Sequence, residues 1–325
     1  MNKELEIWQF AAKRLKRSEA VMLLVVAESS GSSPGRQGFK MIVAENEMCG
    51  SIGGGVMEVL LAELAKVKNK KVKGKSKSAI VEQVHQKNSP NSSGMICSGK
   101  QTVIFYRLDS SHLKTVREII CALKNHQFRR FQISNFKFQI SETQSDEFDF
   151  RFEKMGETEF LYEEKIGFKN KLFIIGGGHC ALALSGLMSK MDFHISLFDD
   201  RADLNTLAKN KFVHEKQIIE SYANIGDFIP SGASNYVVVM TLGYKFDEIV
   251  IRKLIDKDFK YFGVLGSKAK MKTLLRNLEK EGFLKEKLNQ ICTPIGLPIN
   301  SRTPEEIAVS IAAEIIMHKN NESKK

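Results

Sequence analysis

Two glycine-rich segments of different kinds carry the residues best suited to chemistry. The first couples Gly31-Ser32-Ser33-Pro34-Gly35-Arg36 to Cys49-Gly50-Ser51-Ile52-Gly53-Gly54-Gly55. Residues 31–36 offer backbone N–H groups, two hydroxyls and one guanidinium. That set suits an oxyanion, with Arg36 as the bidentate partner. Gly53, Gly54 and Gly55 precede a helical pattern, so they form a second anion-binding concavity, to which Ser51 adds a hydroxyl. Three consecutive glycines lose more conformational entropy than a mere turn requires, which favours ligand contact. Glu58, near the first turn of that helix, either caps it or binds a ligand amide.

The second segment, Gly176-Gly177-Gly178-His179-Cys180-Ala181, matches G-x-G-x-x-A between an apolar strand and a helix. Gly176 makes the tight turn, Gly178 lets the backbone approach a pyrophosphate, and Ala181 allows close helix packing. His179 either bonds a phosphate or substrate or is simply the variable position of the loop. Asp199 ends the next strand, where an acid binds a ribose 2′-OH, and so favours NAD over NADP. Ser267 follows a later strand, at the sheet end where ligands of open α/β folds collect. Together the two segments suggest a protein that handles a phosphorylated cofactor rather than an ordinary dehydrogenase.

The five cysteines stand at 49, 97, 121, 180 and 292. Their odd number and the lack of a CxxC pair argue against a disulfide framework and a structural zinc site. Cys49, Cys97 and Cys180 lie beside glycines, where a thiol could meet a ligand; small buried cysteine is the alternative.

The elements that position these groups fall into two sets. Before residue 170, helices are expected over 4–18, 56–67 and 110–125. Strands are expected over 21–27, 39–43, 77–84 and 101–108, with a loop at 89–94. Phenylalanines alternating with polar residues over 127–165 read as antiparallel strands that complete the first domain or bridge to the second. From residue 170 the pattern is βαβα: strands over 171–175, 193–198, 236–241 and 261–265, and helices over 180–190, 247–256, 268–281 and 303–318. This predicts an α/β protein: an N-terminal α/β domain, 1–169, and a Rossmann-type doubly wound parallel sheet, 170–325.

The length of 325 residues suits two such domains, and 42% apolar with 27% charged residues is a soluble globular composition. No apolar run is long enough to span a bilayer, and the N-terminus has no signal-peptide core, so a cytoplasmic address is expected. The net charge of +11 is concentrated in residues 66–77, with seven lysines and no acid. Such a run attracts a polyanion or is a solvated helix end. No aromatics interleave with it, so nucleic acid is not expected as a partner.

These residues resemble the xanthine dehydrogenase accessory factor family, XdhC/CoxI, over nearly the whole chain. The resemblance rests on GSSPGRQGFKMIV, GSIGGGVMEV and Cys97-Ser98-Gly99 in the first half. In the second it rests on FIIGGGHCALAL, LFDDR, TLGYKFDEIVIRKLI, YFGVLGSKAK and PIGLPINSRTPEEIAVSIAAEII. It implies a chaperone that binds the molybdenum cofactor (molybdopterin), assists its sulfuration and inserts it into an apo molybdenum hydroxylase. It also implies a homodimer, and a cysteine desulfurase as a further partner. The cargo carries a phosphate, which fits the anion loops. Under this reading Gly31, Ser32, Ser33 and Arg36 hold phosphate or pterin groups, with Ser51, Gly53, Gly54 and Gly55 beside them. Cys97 is the thiol nearest the metal. Gly176, Gly178, His179, Asp199 and Ser267 hold NAD or another nucleotide. Ordinary catalysis is not expected. The chain departs from the family pattern at Val56, where many members have Cys, at Ser98, where many have Gly, and at Leu242 and Tyr244, where many have His. Two other readings stand beside it: an NAD-dependent oxidoreductase using the Rossmann domain, and a non-enzymatic scaffold that docks a hydroxylase or sulfurtransferase.

Overall fold

A run of seven apolar residues, 21–27, that is short and rich in Val reads as a strand covered on both faces. In the computed structural model every one of them is buried. Val21, Leu23, Val25 and Ala27 face one core, and Met22, Leu24 and Val26 face another. The structure describes residues 3–71, 78–84, 99–125, 127–142, 149–156, 159–191 and 193–321. The chain divides into two units, 1–167 and 168–325.

The first unit opens with helix α1 (Lys3–Leu15). Strands β1 (Val21–Gly31), β2 (Lys40–Val43), β3 (Met48–Gly50), β4 (Ser78–Val84) and β5 (Gly99–Leu108) pair antiparallel in the order β3-β2-β1-β5-β4. Helix α2 (Gly55–Lys71) covers one face through Leu61, Ala62 and Ala65. The other face packs on α1, on α3 (Leu113–Lys124) and on a second antiparallel sheet. That sheet contains β6 (Arg129–Ser134), β7 (Phe138–Glu142), β8 (Phe150–Lys154) and β9 (Phe160–Ile166), in the order β7-β6-β9-β8. The alternating phenylalanines are therefore strand residues of the first unit. Two details go beyond the sequence pattern. β1 runs on to Gly31, so the first candidate loop begins inside a strand. α2 is apolar on both faces, with Val56, Val59, Leu60 and Val67 exposed.

A buried ion network ties this unit together. Lys40, at the head of β2, places its ammonium 2.6 Å from Glu164 of β9 and 2.8 Å from Glu4 of α1. It also donates to the Gly38 carbonyl at 3.1 Å, while the Tyr162 hydroxyl donates to Glu164 at 2.9 Å. Burial alone would discharge the lysine. The two carboxylates outweigh burial and hold its pKa above the ordinary lysine value.

The second unit is the doubly wound sheet. β10 (Asn170–Ile175), β11 (Phe193–Asp199), β12 (Glu215–Ile218), β13 (Gly232–Val239) and β14 (Phe259–Val264) run parallel in the order β12-β11-β10-β13-β14. Helices α4 (His179–Met188) and α10 (Pro304–Asn320) cover one face. The other is covered by α6 (Ile225–Phe228), α7 (Tyr244–Leu254), α8 (Lys268–Lys280) and α9 (Lys285–Leu288). The short α5 (Asn205–Lys209) packs beside α4 through Leu207. β10 and β13 are adjacent although β11 and β12 separate them in sequence, so the strand order reverses there. Ligand crevices of open α/β sheets form at such a point. β12 was not expected from the sequence: all four of its residues are exposed, so it shows no apolar alternation.

Removing one partner of the Lys40 network strands buried charge. Lys40→Met is expected to destabilise the first unit by about 3–5 kcal/mol, read from denaturant unfolding. Adding Glu164→Gln should recover part of that loss. An unchanged midpoint for Lys40→Met would show that the network contributes nothing.

Candidate functional site

In the first unit, three glycines let three backbone segments touch. A Cβ on Gly35 would lie 2.2 Å from the Ile52 carbonyl oxygen and 2.6 Å from Gln101 Oε1. One on Gly53 would lie 2.4 Å from Gly35 N, and one on Gly99 2.6 Å from Ser33 N. Real side chains cannot approach this closely, so the segments carrying residues 31–36, 51–55 and 99–101 interlock through bare backbone. Ser33 is buried and donates to Gln101 Oε1 at 3.0 Å; Gln101 Nε2 in turn donates to the Ile52 carbonyl at 3.4 Å. Ser33 is thus a fastener between segments. Gln101, at the start of β5, was not singled out from the sequence, where a lone glutamine before an apolar strand gives no signal.

Gly53, Gly54 and Gly55 all have left-handed backbone, with φ of 130°, 80° and 72°. Their N–H groups form the expected concavity, and the chain supplies its own anion. Glu58 Oε2 accepts from Ser51 Oγ at 2.5 Å, Ile52 N at 2.8 Å and Gly54 N at 3.0 Å. Gly53 N donates to Ser51 Oγ at 3.1 Å. Glu58 therefore acts as the cap, one of the two roles open to it. The N–H groups left for a ligand are those opening α2 beyond Gly54. Space beside Gly54 and Gly55 is open. On the rim, Gly31, Ser32 and Arg36 are exposed, and the Arg36 guanidinium makes no ion pair with a described residue. Val56 is exposed at the head of α2, and Cys97 lies outside the described residues. Cys49 is half-buried, its thiol pushed up in pKa by burial and by Glu6.

The fingerprint loop of the second unit is also closed from within. Gly176, with φ of 105°, abuts β13: a Cβ there would sit 2.2 Å from the Met240 carbonyl oxygen. Asp199 is fully buried. Its Oδ2 accepts from Gly177 N at 2.5 Å and Arg201 Nη2 at 2.8 Å; its Oδ1 accepts from Arg201 N and Nε, both at 2.9 Å. A carboxylate offers about four lone-pair positions, and these bonds use them. Burial would raise the carboxyl pKa, but the bonds from Arg201 and Gly177 outweigh it and hold it below the ordinary aspartate value. Thr206 donates to the Gly177 carbonyl, completing the clasp.

Gly178 and His179 stand at the open mouth. Gly178 is the N-cap of α4 with no side-chain cap, and His179 is exposed. Cys180 follows, half-buried, its pKa raised by burial and by Glu305. Ser267 caps α8 by accepting from Lys270 N. Across the mouth, Asp247 is buried and accepts from the Thr241 hydroxyl at 2.7 Å; burial leaves its pKa raised despite the Thr241 bonds. Leu242 and Tyr244, where histidines were noted as the commoner pattern, are exposed.

Comparison with known proteins agrees with this architecture. The model of the XdhC Rossmann domain matches residues 172–315, and that of the XdhC and CoxI family matches 14–68. Among curated relatives, the chain is 29% identical over 157 residues to the uncharacterized protein YqeB of Escherichia coli (strain K12), covering 48% of this chain and 28% of that one. It is 27% identical over 226 residues to a probable xanthine dehydrogenase subunit of Bacillus subtilis (strain 168), covering 67% of this chain and 61% of that one. The match thus spans less than two thirds of either relative. A crystal structure of a xanthine dehydrogenase from Bacillus halodurans superposes with a TM-score of 0.73 at 20% identity, covering 100% of this chain and 97% of that one. That likeness concerns the fold.

Two tests follow from this geometry. Gly54→Ala meets open space and costs only left-handed backbone strain, about 1–2 kcal/mol. Gly53→Ala adds a backbone collision and should lower the melting temperature further; equal losses would contradict the interlocked loops. Asp199→Asn should cost about 1.5–3 kcal/mol at pH 7. A carboxyl with a depressed folded pKa stabilises fully above its unfolded value, about 3.9, and stops doing so as pH falls through the folded one. The stability gap between wild type and Asp199→Asn should therefore close below about pH 4. A gap that stays constant into acid would rule out the charged clasp.

Proposed function

The chain belongs to the XdhC and CoxI family, and on that footing we propose that it is an accessory factor of a xanthine dehydrogenase-type molybdenum hydroxylase. It binds the molybdenum cofactor as cargo in the cytoplasm, supports its sulfuration and passes it to the apo-enzyme. The hydroxylase, a cysteine desulfurase and a second copy of the chain are its partners. The observation that carries this reading is the rigid loop pair of the first unit. Arg36 and Ser32 are exposed on a segment locked against Gly53 and Gly99, beside an open helix start.

The donors present suit the organic, phosphate-bearing part of the cargo. Arg36 offers a bidentate fork to phosphate. Ser32 and the N–H groups at the head of α2 add donors. Among the described residues no group of three or more His, Cys, Asp or Glu is placed to hold a metal ion. The metal and its sulfur belong to the cargo.

The Rossmann unit holds a nucleotide, either NAD or the nucleotide part of the cargo, at the mouth framed by Gly178 and His179. The oxidoreductase alternative asks Asp199 to read a ribose, and that carboxylate is already engaged by Arg201 and Gly177. No helix among the described residues is long and apolar enough to cross a membrane.

The test is anaerobic binding of released molybdenum cofactor. Wild type should bind and protect it. Arg36→Ala, whose exposed side chain supports no described contact, should weaken binding about tenfold or more, a loss near 1.4 kcal/mol, with an unchanged melting temperature. No binding by wild type, or equal binding by Arg36→Ala, would contradict the reading.

A further inference from the structure

The second unit contains a buried donor that the fingerprint reading leaves unused. Tyr222 lies in the short helical turn Tyr222–Asn224 that follows β12. It is 2% exposed, and its hydroxyl proton finds no acceptor. Burying an O–H that donates to nothing is unfavourable, so its retention points to an acceptor acquired on binding.

Its surroundings say where that partner comes from. The Tyr222 hydroxyl feels the charges of Asp199, Asp200 and Arg201, which end β11. The Asp200 backbone N–H faces the hydroxyl oxygen, and no acceptor takes the hydroxyl proton. The Tyr222 ring meets Phe246, in the first turn of α7, edge-on at 5.8 Å. Tyr222 thus bridges the end of β11 and the start of α7, beside the β10–β13 reversal. Two helices open at this mouth, α4 behind Gly178 and α7 behind Gly243, neither with a side-chain cap and both with empty space where a Cβ would be. By contrast, α8 and α10 are capped by Ser267 and Thr303. Leu242 and Tyr244 offer exposed apolar surface beside the α7 opening.

In a dinucleotide fold the acid ending the second strand takes the ribose. Here Asp199 is consumed by Gly177 and Arg201. We propose that the Tyr222 hydroxyl, in place of Asp199, reads the ribose of a nucleoside 5′-phosphate bound at this mouth. A ribose hydroxyl oxygen accepts the tyrosine proton, and the phosphate lies on the free N–H groups that open α4. Asp199 and Asp200 against the single guanidinium of Arg201 leave this end net negative, which disfavours a further phosphate on the ribose. The hydroxyl is closed to water, so it gains its partner only when the ligand parts the side chains around it. The proposal rests on the reading that the second unit holds a nucleotide and names the residue that recognises it.

Calorimetry on the full chain tests it, with AMP, 2′,3′-dideoxy-AMP and inorganic phosphate as probes. Wild type should prefer AMP to the dideoxy analogue by about 5- to 10-fold. Tyr222→Phe should abolish that preference, weakening AMP by the same factor and leaving the dideoxy analogue unchanged. AMP binding unaffected by Tyr222→Phe would overturn the role of Tyr222 alone. Absence of AMP binding by wild type, or phosphate binding as tight as AMP, would overturn the nucleotide reading with it.

Discussion

The close backbone approach at Gly35, Gly53 and Gly99 is the constraint on which the candidate site depends. Three segments distant in sequence meet with no side chain between them, and the Ser33–Gln101–Ile52 bonds fasten the contact. This junction fixes the positions of Arg36 and Ser32 on one side and of the α2 helix start on the other. Exposed loop residues usually sample many conformations. Here the exposed groups stand one residue away from locked backbone, which lowers the ordering cost of binding.

Both glycine-rich loops share a second device. Each turns N–H groups inward, and each has a carboxylate of the chain seated on them: Glu58 on Ile52 and Gly54, Asp199 on Gly177. Such groups satisfy donors that would otherwise be stranded when no ligand is bound. They also decide what the loops can take. A phosphate that displaced Glu58 would have to strand that carboxylate or protonate it, so the proposed function puts the cargo's phosphate further along, at Arg36 and the head of α2. In the second unit the same reasoning moves the proposed recognition of a ribose away from Asp199.

The sequence made the architecture legible wherever burial imposes a period. Residues 21–27 read as a buried strand, the fingerprint as a strand-to-helix turn, and the phenylalanine alternation as antiparallel sheet. It showed less where a residue's role depends on partners far along the chain. Lys40 reads as an ordinary strand-edge lysine until β9 and α1 bring Glu164 and Glu4 to it. Gln101 and Tyr222 carry no local signal, and β12 is too exposed to show one. At the site, Gly31, Ser32 and Arg36 were readable as exposed donors. The internal engagement of Ser33 and Asp199 was not, because it needs the tertiary contacts with Gln101 and Arg201.

In the proposed function this chain is a carrier whose rigid first unit delivers cofactor to a hydroxylase. The most direct measurement is the molybdenum content of a xanthine dehydrogenase-type hydroxylase purified from the native host with and without this chain. Enzyme from cells lacking the chain should hold markedly less cofactor, and restoring the wild-type chain, but not Arg36→Ala, should refill it. Equal cofactor content in the two preparations would contradict the carrier role.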